Sequence, residues 1–460
     1  MMKQDKVKFI AEKLIEFIIK DATNNRYGLV ATKFFHPKEK KWTQQIAEFD
    51  DIGDYLTFIA WAGKIFKQSK FSSFVSQQIN IWKQLAGQSD LYPESIDCLK
   101  PLSKQLSLTD SIYGLQDSIL GLHELYHLTG NKKYLHLLDR HFKKFYKIAQ
   151  LHQGLIPNTT IKKLDLALPW VSSNPAVAGL IAEHAYLSKN KTHHQLGDLL
   201  ISAWLKTRLW QEQSLFHQGY NPYLRSFSIY KNTKIMKESS NMVYAMLQRP
   251  HKYTKEIKSF TNKLLQFQHS SGAFFAKWNL KDKKIIKDYF DKTQNFTIID
   301  VLIEISLKTN QKNLIAIAEK CANFWIKKIN LKTNLIPDYI KPNGKPLYQI
   351  AKLDQSADLY SSFLRLYSIT DNKKYLNQAL FGAKALNTHF GQSSWWHRVI
   401  NINTGQPAKD SDAPLNDRPT GRNLTKYIGG ALRFYLSLYQ VQSGKNMQGD
   451  KTLWLLSRDR

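Results

Sequence analysis

Apolar residues recur three and four apart along most of the chain, the spacing of a single helix face, and the two-residue alternation of half-buried strands is scarce. This pattern predicts two interleaved sets of helices. One set lies near 4–20, 71–87, 131–150, 191–210, 252–269, 310–329 and 372–389, and the other near 53–67, 113–129, 174–189, 236–248, 294–308, 355–370 and 422–441. Members of the second set are small or apolar on most sides, as in DSILGLHEL from Asp117, PAVAGLIA from Pro175 and GGALRFYL from Gly429. A helix without a polar face belongs inside. The first set is Lys-rich on one face, as an outer layer should be.

The connections also fall into two kinds. From the second set to the next helix they are tight: TGNKK (129–133), KNK (189–191), KTNQK (308–312) and TDNKK (370–374). From the first set to the second they run for roughly twenty to thirty residues and hold many of the Pro, Gly and Trp residues; loops of that length usually carry function. All of them follow the same helix type, so they gather at one end. LYHLTGNKKYL from Leu125 recurs as LYSITDNKKYL from Leu366, and GLIPN from Gly154 as NLIPD from Asn334. Both separations are close to multiples of one unit of about 60 residues, the signature of a helical-hairpin repeat. The expected fold is all-α: an (α/α) toroid of six to seven hairpins spanning 1–460 as a single domain, with long loops at one end. Residues 390–460 would supply a last hairpin that completes or flanks the barrel, and an open solenoid is the alternative.

An inner helix, then LYxLTGNxKYL, then an outer helix resembles the six-hairpin glycosidase-like superfamily. The stretch from Gln266 to Trp278, QFQHSSGAFFAKW, is similar to a turn of such toroids. The resemblance implies an α/α barrel and carbohydrate chemistry: hydrolysis of unsaturated glucuronyl and rhamnogalacturonyl oligosaccharides, sugar epimerisation or, more distantly, polysaccharide elimination. In the uronide hydrolases it implies an Asp acting as general acid on a vinyl ether. A seven-hairpin count also resembles the lanthionine-cyclase-like toroid, but its zinc needs Cys and His in late loops, and Cys98 and Cys321 lie elsewhere.

Composition narrows this. Hydrophobic residues make up 43% of the 460 positions, enough for a large core. Lys and Arg outnumber Asp and Glu 66 to 37, a formal charge of +29. The excess fits a Lys-rich genome, an acidic substrate, nucleic acid or a membrane surface; it is spread without dense blocks, and no nucleic-acid-binding motif accompanies it. Cys98 and Cys321 form neither a disulfide framework nor a ligand pattern, and His193-His194 cannot share a helix face, so no metal and no other cofactor is expected. The N-terminal stretch reads as an amphipathic helix rather than a leader, no run is long enough to span a bilayer, and a cytoplasmic protein is expected.

In a toroid the inner helices begin at the long-loop end, so their first residues face one shared cavity. Six or seven helix N-termini converging there would favour an anion. Short polar residues at these starts, among them Asn174, Ser239, Ser240, Asn241, Thr293 and Asn295, also suit N-caps. Glycosidases need two carboxyl groups flanking a sugar. The candidates are Asp51 and Asp54 before the first inner helix, Asp117, Asp354 and Asp358; Asp117 and Asp358 occupy equivalent repeat positions, both read as first-turn residues, and Asp117 is the favoured acid. Loop aromatics and cations supply substrate-binding candidates: Trp170, His217, Tyr220, Asn221, Arg225, Trp395, Trp396, His397, Arg398 and Arg422. The expected activity is hydrolysis of an acidic, uronate-containing oligosaccharide. A lyase or epimerase using Tyr or His (His217, Tyr220 and Asn221) is one alternative, and a non-catalytic helical module binding a glycan or protein is another.

Overall fold

The computed structural model describes residues 2–444 except 24–25, 31–34, 37–40, 43–44, 50–51, 87–90, 92, 94, 102–108, 162–163, 167–171, 189, 218, 222–225, 228–231, 392–395 and 415–423. Its helices are α1 (Gln4–Asp21), α2 (Thr57–Ile65), α3 (Ser69–Ala86), α4 (Gln116–Thr129), α5 (Lys133–Leu151), α6 (Pro175–Leu187), α7 (Lys191–Leu205), α8 (Arg208–Gln213), α9 (Ile235–Leu247), α10 (Thr254–Leu265), α11 (Lys292–Thr309), α12 (Asn313–Ile326), α13 (Leu353–Thr370), α14 (Lys373–Ala385) and α15 (Leu424–Gln442). Each of α2, α4, α6, α9, α11, α13 and α15 packs on the next, and α15 returns to pack on α2 and on the π-helical turn Ile52–Leu56 that leads into it. The inner ring is closed. Helices α3, α5, α7, α10, α12 and α14 lie outside the inner helices they follow, and α1 covers α15. Seven hairpins therefore surround the axis among the described residues, and the seventh is built from the two ends of the chain.

Burial follows the pattern of the sequence. In α11, 14 residues from Lys292 to Ser306 are buried, so the helix has no solvent face. In α5 the buried set is Tyr134, Leu137, Leu138, His141, Phe142, Phe145, Ile148 and Ala149, a single stripe. The repeated LTGNKKYL motif is the inner-to-outer turn. Thr129 and Thr370 donate from Oγ1 to the carbonyls of Leu125 and Leu366 at 2.6 and 2.8 Å. Gly130, Asn310 and Asp371 then take left-handed backbone at φ 69°, 58° and 56°, which ends each inner helix. The carboxamide oxygens of Asn131 and Asn372 accept from the amides of Lys133 and Lys374 and open the outer helix. Tyr134 and Tyr375 complete the motif by sinking into the layer between the rings.

At the other end the long loops are tied together by short antiparallel pairs. The segment leading into an inner helix pairs with the segment that leaves the following outer helix: 46–48 with 95–97, 109–111 with 159–161, 232–234 with 277–279, 290–291 with 339–340, and 350–352 with 399–401. Ser173 and Tyr220 make the same bridge before α6. The pairing satisfies backbone groups that the loops would otherwise bury unpaired, and it fixes the rim.

Ring closure depends on close backbone approach. A Cβ on Gly429 of α15 would lie 2.2 Å from the carbonyl oxygen of Asp54. The sequence pattern runs one helix over 191–210; instead α7 stops at Leu205. Thr207 is extended there, and its hydroxyl bonds the carbonyl of Trp204 at 2.7 Å, so α8 starts in a new direction. No helix among the described residues is long and apolar enough to cross a membrane.

Candidate functional site

At the loop end, three neighbouring inner helices and the π-helical turn before one of them line a cavity of about 130 Å³. The π-helical turn contributes Asp54, α2 Phe58, α13 Asp354 and Asp358, and α15 Tyr427, Gly430 and Arg433. Asp354 and Asp358 are one helical turn apart, so both side chains point the same way. Gly430 leaves room: a Cβ there would sit 3.7 Å from both Asp354 Cβ and Asp358 Oδ1.

The cavity is anchored by an ion pair in which Arg433 Nη2 donates to Asp358 Oδ1. The Arg433 side chain keeps 5% of its surface exposed and that of Asp358 keeps 20%. Burial pushes the Asp358 carboxyl up to about 6. The Arg433 guanidinium opposes the shift, and the nearby charges of Asp354 and Asp300 add to it. Below this level Arg365 of α13 donates to Glu304 of α11, with its Nη1 3.5 Å from Asp300 Oδ1. Ser362 donates to Asp300 Oδ2 at 3.0 Å. Beside Asp354, the wholly buried Lys292 ammonium donates to Asp338 Oδ1 at 2.5 Å, Ser356 Oγ at 2.9 Å and the Ile336 carbonyl at 3.0 Å. Burial pushes that ammonium down, and Asp338 opposes the shift.

The structure brings Asp54, Asp354 and Asp358 to one cavity and treats the other candidates differently. Asp117 is the second residue of α4, and its side chain lies outside the described residues, as do Asp51, Trp170, Arg225, Trp395 and Arg422. Asp358 is not the first-turn residue expected from its repeat partner Asp117. Helix α13 begins a turn earlier than α4 relative to the shared motif, so Asp358 sits in the second turn, paired with α15.

His217 and Asn221 are buried in the rim. Tyr220 meets Trp204 of outer helix α7 edge-on, with ring centroids 6.1 Å apart, and none of these three lines the acidic cavity. Trp396 is no sugar platform either: it is 3% exposed and packs edge-on against Tyr435 of α15. His397 is half-buried, and desolvation lowers its imidazole from the ordinary value. Arg398 is buried over the ring of Tyr427, 4.1 Å from its centroid.

Of the short polar residues at the inner-helix starts, Asn174 does cap α6, accepting from the Ala176 amide at 2.8 Å. Ser239, Ser240 and Asn241 lie inside α9, where Asn241 donates to the carbonyl of Ala176 and joins two inner helices. The cap of α11 is Asp291, and Asn295 bonds the loop at Phe274. The convergence of helix beginnings therefore does not make an anion site of this cavity. Its described lining has three carboxylates and one guanidinium.

The charged layer of Asp300, Glu304, Arg365 and Arg433 was not among the candidates. Its signal was present, because IIDVLIEI from Ile298 and ALRFYL from Ala431 each carry charges inside an otherwise apolar helix. Among the described residues, no group of three His, Cys, Asp or Glu side chains is arranged to hold a metal ion.

No family model matches the chain, and no curated protein matches it in sequence. Its shape is another matter. An α-1,2-mannosidase from Trichoderma reesei superposes with a TM-score of 0.66 at 13% identity, over 95% of this chain and 93% of that one. A D-mannose isomerase gives 0.58 at 12% identity, over 95% and 98%. A sugar epimerase from a ruminal bacterium gives 0.57 at 10% identity, over 95% and 99%. The chain shares the closed (α/α) toroid fold of these structures. At these identities the likeness is one of architecture, and what this toroid does must be argued from its own residues.

Proposed function

We propose that this protein is a carbohydrate-active enzyme that hydrolyses a glycosidic bond of an oligosaccharide in the cavity of Asp54, Asp354 and Asp358. One observation carries the reading: three carboxyl groups from two elements share one cavity, and one of them, Asp358, is pushed up to about 6. A carboxyl with raised proton affinity beside a second carboxyl is what acid–base cleavage of an acetal requires. Solved structures of the same fold that are named as a mannosidase, a mannose isomerase and a sugar epimerase support a sugar as the substrate.

In the proposed reaction Asp358 gives its proton to the leaving oxygen as the bond from that oxygen to the anomeric carbon breaks. Asp54, on a different element of the wall, takes a proton from the attacking water, whose oxygen forms the new bond to that carbon. Asp354 raises the proton affinity of Asp358 by like charge, and Arg433 holds Asp358 in place. Retention or inversion follows from whether Asp54 activates water or attacks directly. The described lining, richer in carboxylates than in cations, suits the hydroxyls of the sugar at the scissile bond.

The test is incubation of purified protein with a panel of neutral and acidic oligosaccharides, read by product mass. Shorter oligosaccharides should appear with the wild type and fall about 10²- to 10⁴-fold with Asp358→Asn. Products of unchanged mass but altered configuration would replace hydrolysis by epimerisation. Undiminished cleavage by Asp358→Asn would remove this cavity from the reaction.

A further inference from the structure

Arg398 packs against a residue that lines the acidic cavity. Its guanidinium carbon lies 4.1 Å from the ring centroid of Tyr427, and Tyr427 lines the cavity. Its own backbone is tied to the same place: the carbonyl of Arg398 accepts from the amide of Leu353 at 2.9 Å. Leu353 opens α13, the helix that carries Asp354 and Asp358. Arg398 thus joins the beginnings of the two inner helices that supply most of the cavity wall.

The residue is 8% exposed, and its Nε and Nη1 are fully enclosed with no acceptor among the described residues. Contact with the tyrosine ring accounts for one side of the guanidinium. It leaves the N–H edges unexplained. A buried cation with unused donors is costly, and burial of such a group is ordinarily offset by hydrogen bonds or an opposite charge. An acceptor brought by a ligand would answer that cost. The planar guanidinium matches the paired oxygens of a carboxylate, phosphate or sulfate.

We propose that Arg398, packed on Tyr427, forms a subsite beside the acidic cavity that holds an oxyanion substituent of the glycan. The inference rests on the reading of that cavity as the reaction site. It divides the labour: carboxylates act on the bond that breaks, and a guanidinium selects an anionic group on a neighbouring part of the same substrate. The chemistry it names is shared by uronic acids and by phosphorylated sugars.

The experiment is a binding titration by calorimetry at low salt, independent of turnover. The probes are glucuronate, glucose 6-phosphate and glucose, offered to the wild type, Arg398→Ala and Arg398→Lys. The wild type should bind one of the two anions about 10- to 100-fold more tightly than glucose, and which anion wins identifies the source of the oxyanion. Arg398→Ala should lose that preference, and Arg398→Lys should recover part of it, since Lys keeps the charge and lacks the planar edge. Equal binding of anions and glucose by the wild type overturns the subsite. So does a preference that survives in Arg398→Ala. Circular dichroism melting of each variant separates loss of binding from loss of fold. Failure here with oligosaccharide cleavage intact would leave the reaction assignment standing; failure of cleavage would remove it independently.

Discussion

At the scale of single residues, the proposed chemistry turns on Asp358 and the two groups that pull its proton affinity in opposite directions. Burial raises its carboxyl to about 6, above the unfolded value near 3.9. The native state therefore holds this proton more tightly than the unfolded chain. The stability this group contributes is present in full below about pH 4 and is lost as pH rises through about 6. Activity that needs the proton should follow the same limb, with kcat/KM falling above about pH 6. Asp354→Asn removes a like charge, so it should move the limb to lower pH while turnover persists; an unmoved limb in a pH–rate profile would contradict the role given to Asp354. Arg433→Met should cost about 3–5 kcal/mol in denaturant unfolding, because it leaves Asp358 enclosed without its cation. A loss below 1 kcal/mol would mean the pair is an ornament of the wall.

At the scale of helices and turns, most of what the structure contains can be read from spacing. Among the described residues fourteen helices fall within a few positions of where the apolar periodicity puts them, the early end of α7 apart, and the repeated LTGNKKYL motif resolves into a threonine back-bond, a left-handed residue and an asparagine cap. Local rules specify such features, so a local reading finds them. Asp354 and Asp54 were legible for the same reason, as polar residues at the start of inner elements.

The partner of Asp358 was not legible in this way. Arg433 lies 75 positions away on a helix that closes the ring, and the Asp300, Glu304 and Arg365 layer is likewise assembled from different hairpins. Only the closed ring brings them together. Trp396 misled in the opposite direction: a tryptophan beside His and Arg in a loop looks like a sugar platform, but here its apolar area is spent on Tyr435. The clearest element-scale prediction concerns α15. Gly429→Ala would drive a methyl into the carbonyl of Asp54, so it should cost about 1–3 kcal/mol and lower activity together, read by denaturant melts and product release. Gly130→Ala, where nothing lies within 4 Å, should pay only for its left-handed backbone, about 1–2 kcal/mol, and leave activity intact.

At the scale of the whole molecule, the two ends of the chain build one hairpin. Helix α1 buries Val7, Ile10, Ala11, Leu14, Ile15, Phe17 and Ile18, and it packs on α15. The cavity draws Tyr427, Gly430 and Arg433 from α15, so a segment at the beginning of the sequence supports a site assembled near its end. Removing residues 1–22 should expose α15, loosen the seam at Asp54 and abolish activity while the middle hairpins stay folded; hydrogen exchange resolved by segment would show protection lost in α15 and α2 first. Uniform loss across all seven hairpins would indicate a ring that melts only as a whole.

The most direct test of the central claim is a crystal structure of Asp358→Asn soaked with an oligosaccharide that the wild type cleaves. A sugar ring should appear in the loop-end cavity, within hydrogen-bond distance of Asp54 and of the residue at position 358, with its neighbour reaching toward Tyr427 and Arg398. A sugar bound elsewhere on the protein, with this cavity empty, would contradict that claim.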